Sequence, residues 1–311
     1  MRNLFINPFA LFLMCTFSIH ILAKDTISIT GCGISKKAYM EKIASIYEKK
    51  SGIKIRLSGG GATKGLRLTS QGRTDIGASC RHRIASENGI VNEESNLDLV
   101  QVGWDALVVM VNKNQKVDNL TIQNLRDIFD GKVTSWNELG GTEIDILPLT
   151  RKGKLSGVGY MARLLIFADP TYEFKNKGNR YKSTGPLEKA TMSHEGAIAI
   201  NGISSAKKID VKFIGIDGFV PTKENIMKGN YPFFRPLYIA IQKNNADLEI
   251  KKLVQFILSE EGQKIISDEG TVNLKEGLAL ADKWLEKVKK MGNAWQEDEG
   301  LIITSTTQKA I

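Results

Sequence analysis

A two-lobe α/β fold, each lobe a mainly parallel sheet flanked by helices, is predicted by three features of the sequence. Short β-branched runs alternate with amphipathic segments along most of the chain, and glycine-rich turns stand between several strands and the helices after them. Two long apolar runs, 106–111 and 237–242, lie where the composition changes. Alternating strands and helices build a parallel sheet covered on both faces. The two long runs let the chain cross from one lobe to the other and back, as a hinge over a cleft. At 311 residues, with 42% hydrophobic and 25% charged content, the chain is long enough for two such units.

Residues 1–23 read as a cleavable leader: Arg2, an apolar run, and a small residue, Ala23, before Lys24 and Asp25. Asn7, Pro8 and His20 interrupt the run, which is short for a membrane span. Cys32 ends an "ITGC" string like a lipidation motif, but Lys24 and Asp25 separate it from the apolar run, so no lipid anchor is expected. Export to the periplasm follows from this reading. Loss of Arg2 takes the formal charge from +9 to +8. The lysines are scattered, without dense runs or interleaved aromatics, so nucleic acid is not an expected partner.

After the leader, "TISIT" (26–30) predicts a strand, "GCG" a tight turn, and 35–50 a helix burying Ala38, Ile43, Ile46 and Tyr47. The pattern repeats with "IKIRLS", "GGGA" and a helix over 63–71, and "TDIGAS" is a third strand. "TIQNLRDIFDGK" is a helix with a Thr cap and a Gly stop. "IDILPLT" predicts a strand, "LSGVGYMARLLIFADP" a loop entering a helix, and "GAIAING" and "VKFIGI" further strands. "TKENIMKG" is a short helix closed by Gly229; "LEIKKLVQFILSEEGQKIISDEG" is an amphipathic helix broken near Gly262, and a last helix starts near Glu276. The predicted organisation is a leader (1–23), lobe 1 (24–104 and 236–290), lobe 2 (105–235) and a polar tail (291–311).

Ligands of open α/β sheets bind beyond the carboxyl ends of the strands, where helix N-termini also point. There the sequence places Gly31–Ser35, Gly59–Thr63, Ser79–Arg81, and Arg151 and Lys152 followed by Ser156, Gly157 and Val158. Glycine lets backbone amides approach a ligand, and the amides at a helix start carry partial positive charge. Several such turns, most with a hydroxyl near a cation, point to a pocket for a small oxyanion. No Ser-His-acid set, HExxH or phosphate-loop lysine is recognisable, so no enzyme activity, resident metal or cofactor is expected. Cys32 and Cys80 are the two thiols left after the leader is removed. They read as buried small residues, as a disulfide across the cleft floor, or, with His82, as the working groups of a thiol or metal protein on the same scaffold.

From about Thr26 to Leu274 the chain resembles the phosphate-binding proteins that serve ABC-type uptake transporters, which have the type II periplasmic binding fold. "GGGATKG", "DIGASCR", "DALVVMVNK", "NLTIQNLRDIFDGKVTSWNELGG", "DGFVPTKENIMKGNYPFFRPLYIAI" and "LSEEGQKIISDEGTVNL" carry the resemblance in order. It implies ligand contacts from Ser35, Thr63, Ser79, Arg151, Ser156 and Gly157, with the amides of Ala62 and Val158 beside them. It also implies a permease and an ATPase as partners of a monomeric binding protein. Three departures stand out: Val158 replaces a hydroxyl residue, Cys80 stands where Asp or Ser is usual, and Arg151 is one residue farther from Ser156. Arg81, Lys64 and Lys152 are the candidate compensating cations.

Overall fold

The computed structural model describes residues 24–86, 89–90, 92–175 and 178–290; the predicted leader and tail lie outside them. Ten strands form one sheet: β1 (Thr26–Gly31), β2 (Lys54–Ser58), β3 (Ile76–Ser79), β4 (Leu97–Val111), β5 (Asn119–Leu120), β6 (Leu147–Arg151), β7 (Arg180–Tyr181), β8 (Ala197–Gly202), β9 (Lys212–Ile216) and β10 (Phe234–Gln242). Their order is β2-β1-β3-β10-β4-β8-β6-β7, with β9 pairing to both β4 and β5.

The predicted parallel pairings hold at the two ends of the sheet, where β1 runs parallel to β2 and β3, and β6 parallel to β7 and β8. The centre differs. β4 and β10 are antiparallel to each other, β10 is antiparallel to β3, and β8 and β9 are antiparallel to β4. All four antiparallel pairings of this sheet involve β4 or β10, the two longest strands. β4 also begins nine residues before the apolar run at 106–111, because "LDLVQVGW" buries alternate residues at its start and only then becomes fully buried.

The helices follow local chemistry closely. Thr121 and Asn124 form a reciprocal capping box for Ile122–Asp130, and Gly131 ends that helix at φ 73°. The first helical run starts at residue 33, two residues earlier than predicted. The break expected near Gly262 falls at Ser259, whose extended backbone closes Leu248–Leu258 while its Oγ accepts from the Gly262 amide to start Glu260–Asp268. Trp104, Trp136 and Trp284 are fully buried large side chains of the core. Among the described residues no helix is long and apolar enough to cross a membrane.

Candidate functional site

At the carboxyl ends of β1, β3 and β6 lies a cavity of about 240 Å³, lined by four helix starts: Cys32–Ile34, Gly60–Ala62, Ser156–Val158 and Ser183–Gly185. Each start is built differently. Cys32 is extended and provides no side-chain cap, so Gly33, Ile34 and Ser35 keep amides with no acceptor inside their helix. Gly61, at φ 91°, turns the chain into Ala62–Ser70 without a side-chain cap, and its own amide is held by the Gly31 carbonyl. Ser156 Oγ caps the Gly159 amide at 3.0 Å, leaving those of Gly157 and Val158. Ser183 provides no side-chain cap to Thr184–Ser193.

Arg151 is the buried cation of the cavity wall. Its Nη2 donates to the Lys182 carbonyl at 2.9 Å and its Nη1 to Thr184 Oγ1 at 3.4 Å, while Nε has no partner. Burial lowers its pKa from the ordinary guanidinium value and Glu188 opposes that shift; an arginine remains charged throughout the physiological range. Lys182 adds an exposed ammonium at the rim. No carboxylate side chain is among the residues lining this cavity. The site therefore offers amides, hydroxyls and cations: the inventory of an anion seat.

The predicted residues divide into those on the wall and those behind it. Ala62, Cys80, Arg151, Ser156, Gly157 and Val158 line the cavity. Ser35 is fully buried beside the lining residue Ile34, and its Oγ makes no hydrogen bond. Ser79 is fully buried, with Oγ donating to the Arg81 carbonyl at 2.6 Å. Thr63 Oγ1 donates to the Leu155 carbonyl, bridging toward Ser156 rather than facing an open donor position.

The candidate compensating cations are placed elsewhere. Arg81 is fully buried in a two-pronged pair with Glu94 at 2.7 and 3.0 Å, and it also donates to the carbonyls of His82 and Leu155. Lys152 is exposed and not among the lining residues; Lys64 is also exposed and not among them, but its side chain lies against the lining residue Gly60. Sequence reasoning missed the Lys182–Gly185 wall and the Glu94 partner. A helix-start signature was present in "STGP", a hydroxyl residue followed three positions later by proline.

The thiol or metal reading is corrected here. Cys32 and Cys80 form a disulfide, with Cα atoms 6.2 Å apart, so neither offers a free thiol. His82 Nε2 pairs with Tyr160 OH at 3.1 Å, and no metal-holding cluster of His, Cys, Asp and Glu occurs among the described residues. Arg235, fully buried on β10, lies behind the bridge: it pairs with Asp105 at 2.8 Å and donates to the Cys80 carbonyl at 3.2 Å.

An α/β sheet with two long antiparallel central strands, and a cavity walled by helix starts and a buried arginine, is the architecture of a type II periplasmic binding protein. Residues 22–261 match the profile of the PBP superfamily domain, and the chain belongs to that family. It is 26% identical over 253 residues to the phosphate-binding protein PstS of Bacillus subtilis, covering 80% of this chain and 81% of the relative. With PstS of Borreliella burgdorferi the identity is 26% over 179 residues, covering 55% of this chain and 64% of the relative. The crystal structure of a phosphate ABC transporter substrate-binding protein from Clostridium perfringens, with bound phosphate, superposes at a TM-score of 0.67 with 26% identity, covering 80% of this chain and 99% of that one.

Proposed function

We propose that this chain is an extracytoplasmic solute-binding protein that captures phosphate or a closely similar oxyanion and delivers it to an ABC-type permease and ATPase. One observation carries the reading: four helix starts and the buried Arg151 face one cavity without a carboxylate on its wall. The lobes are 24–104 with 236–290, and 105–235, and the molecule works as a monomer. The ligand favours the closed state because donors of both lobes reach it only there, and β4 and β10 carry the hinge.

Ala62, Arg151, Ser156, Gly157 and Val158 are the ligand-facing part of the set that the resemblance implies, and Ser35, Thr63 and Ser79 support it from behind the wall. Loss of two hydrogen bonds to a charged ligand, at about 1.5–3 kcal/mol each, would take micromolar binding toward millimolar. Two such losses are at stake where Val158 and Cys80 replace polar residues. The donors at Lys182–Gly185 stand in their place. Titration calorimetry of the mature, oxidised chain with inorganic phosphate is expected to give one saturable site. A flat titration with phosphate, but heat with sulfate, phosphite or a phosphonate, moves the assignment to that ion; flat titrations with all of them overturn it.

A further inference from the structure

We infer that the Cys32–Cys80 bridge is a redox gate on the anion site: reduction places a Cys32 thiolate in the seat and displaces the bound oxyanion. The inference rests on the proposed anion-binding reading and adds a regulation to it.

Both cysteines line the cavity and both are buried, at 3% and 1% exposure. Cys32 is the cap residue of the run that begins at Gly33, and its amide is held by the Ala78 carbonyl. Cys80 follows β3 directly, and its Sγ lies against Gly157, where any Cβ would collide with it. The bridge thus touches turns from β1 and β3 and the helix start after β6. In the disulfide form it is neutral and leaves the surrounding donors to a guest.

Reduction by a dithiol changes the charge of that position. The bridge takes up two electrons and two protons and becomes two thiols, while the reductant closes to its own disulfide. A thiol at a helix start beside cations loses its proton more readily than a free cysteine. Here Cys32 is itself a lining residue of the cavity, whose wall also holds helix-start amides, Arg151 and Lys182. The charged groups behind it are the paired Arg235 and Asp105, and on the far side of Cys80 the Arg81–Glu94 pair, each already matched. The proton of Cys32 passes to solvent, and the remaining thiolate occupies the donors that an oxyanion needs.

Two consequences distinguish this gate from a simple staple. A like charge within a few ångströms weakens a bound oxyanion by about tenfold or more. By linkage the same factor appears in the bridge: saturating phosphate lowers its midpoint potential by about 30 mV for each tenfold difference in affinity.

The test uses the mature chain, inorganic phosphate and dithiothreitol at pH 7.5, with far-UV circular dichroism on every sample. The expected result is that the reduced chain keeps its fold and binds phosphate at least about tenfold more weakly than the oxidised chain, and that this ratio shrinks toward one when both are titrated at about pH 5, where a thiol holds its proton. A redox titration with and without phosphate is expected to show the matching shift. Equal affinity of reduced and oxidised chains overturns the gate and leaves the anion-binding reading standing. A loss of the same size at both pH values overturns it too, because the bridge then acts only by geometry. Unfolding on reduction also overturns it. An oxidised chain that binds no oxyanion removes the site reading itself.

Discussion

The two sides of the cleft hold the same kind of backbone feature and differ in charge. On the side of β1 and β3, helix starts at Cys32 and Gly61 bring amides without a lining cation: Arg81 is consumed by Glu94 and by carbonyls, and the exposed Lys64 lies against Gly60 without being among the lining residues. On the side of β6, the starts at Ser156 and Ser183 come with Arg151 and Lys182. One wall is tied by a disulfide; the other carries the lining cations. In the proposed function that split has a use: the side with the lining cations attracts the ion, and the other side completes its shell with amides.

The largest effect is expected from breaking the internal pair of the disulfide-tied wall. Glu94→Gln leaves Arg81 buried without a charge partner and costs about 3–5 kcal/mol of stability, read as a drop in melting temperature. Phosphate affinity per folded molecule changes little, since Arg81 is not on the wall. Arg151→Met acts the other way: the fold persists, and phosphate affinity falls about 100-fold in calorimetry, the equivalent of one or two bonds to a charged group. If the two substitutions gave the same pattern, the division of labour between the walls would be wrong.

Smaller changes sharpen the same contrast. Gly157→Ala places a Cβ against Cys80 Sγ and 3.2 Å from Ala62 Cβ, the point where the two walls meet. Overpacking of this kind costs about 1–3 kcal/mol, and affinity is expected to fall about tenfold as closure is obstructed. Lys182→Ala removes an exposed charge and is expected to weaken phosphate only about two- to fourfold, with a shallower salt dependence.

Local features of the sequence were readable and long-range pairings were not. The glycine turns before 33–35, 62–63 and 157–158 announce themselves because a tight turn into a helix needs those residues within a few positions of one another. The Lys182–Gly185 wall lacks a glycine run and follows a strand of only two residues, Arg180–Tyr181, so periodicity gave no anchor for it. The partner of Arg81 lies 13 residues away and the cysteines are 48 apart; neither relation follows from spacing, since both depend on how the sheet brings turns together. The fold class was legible for the opposite reason: alternation of strand and helix is repeated often enough to survive errors of a few residues, such as the helix break at Ser259.

The claim under all of this is that amides from both walls meet on one small anion. Backbone amide NMR of the oxidised, isotopically labelled chain during titration with inorganic phosphate tests it most directly. Amides of Gly33–Ser35, Ala62–Lys64, Gly157–Val158 and Thr184–Gly185 are expected to shift together, with a single saturation curve. Shifts confined to one wall, or separate curves for the two, would contradict it.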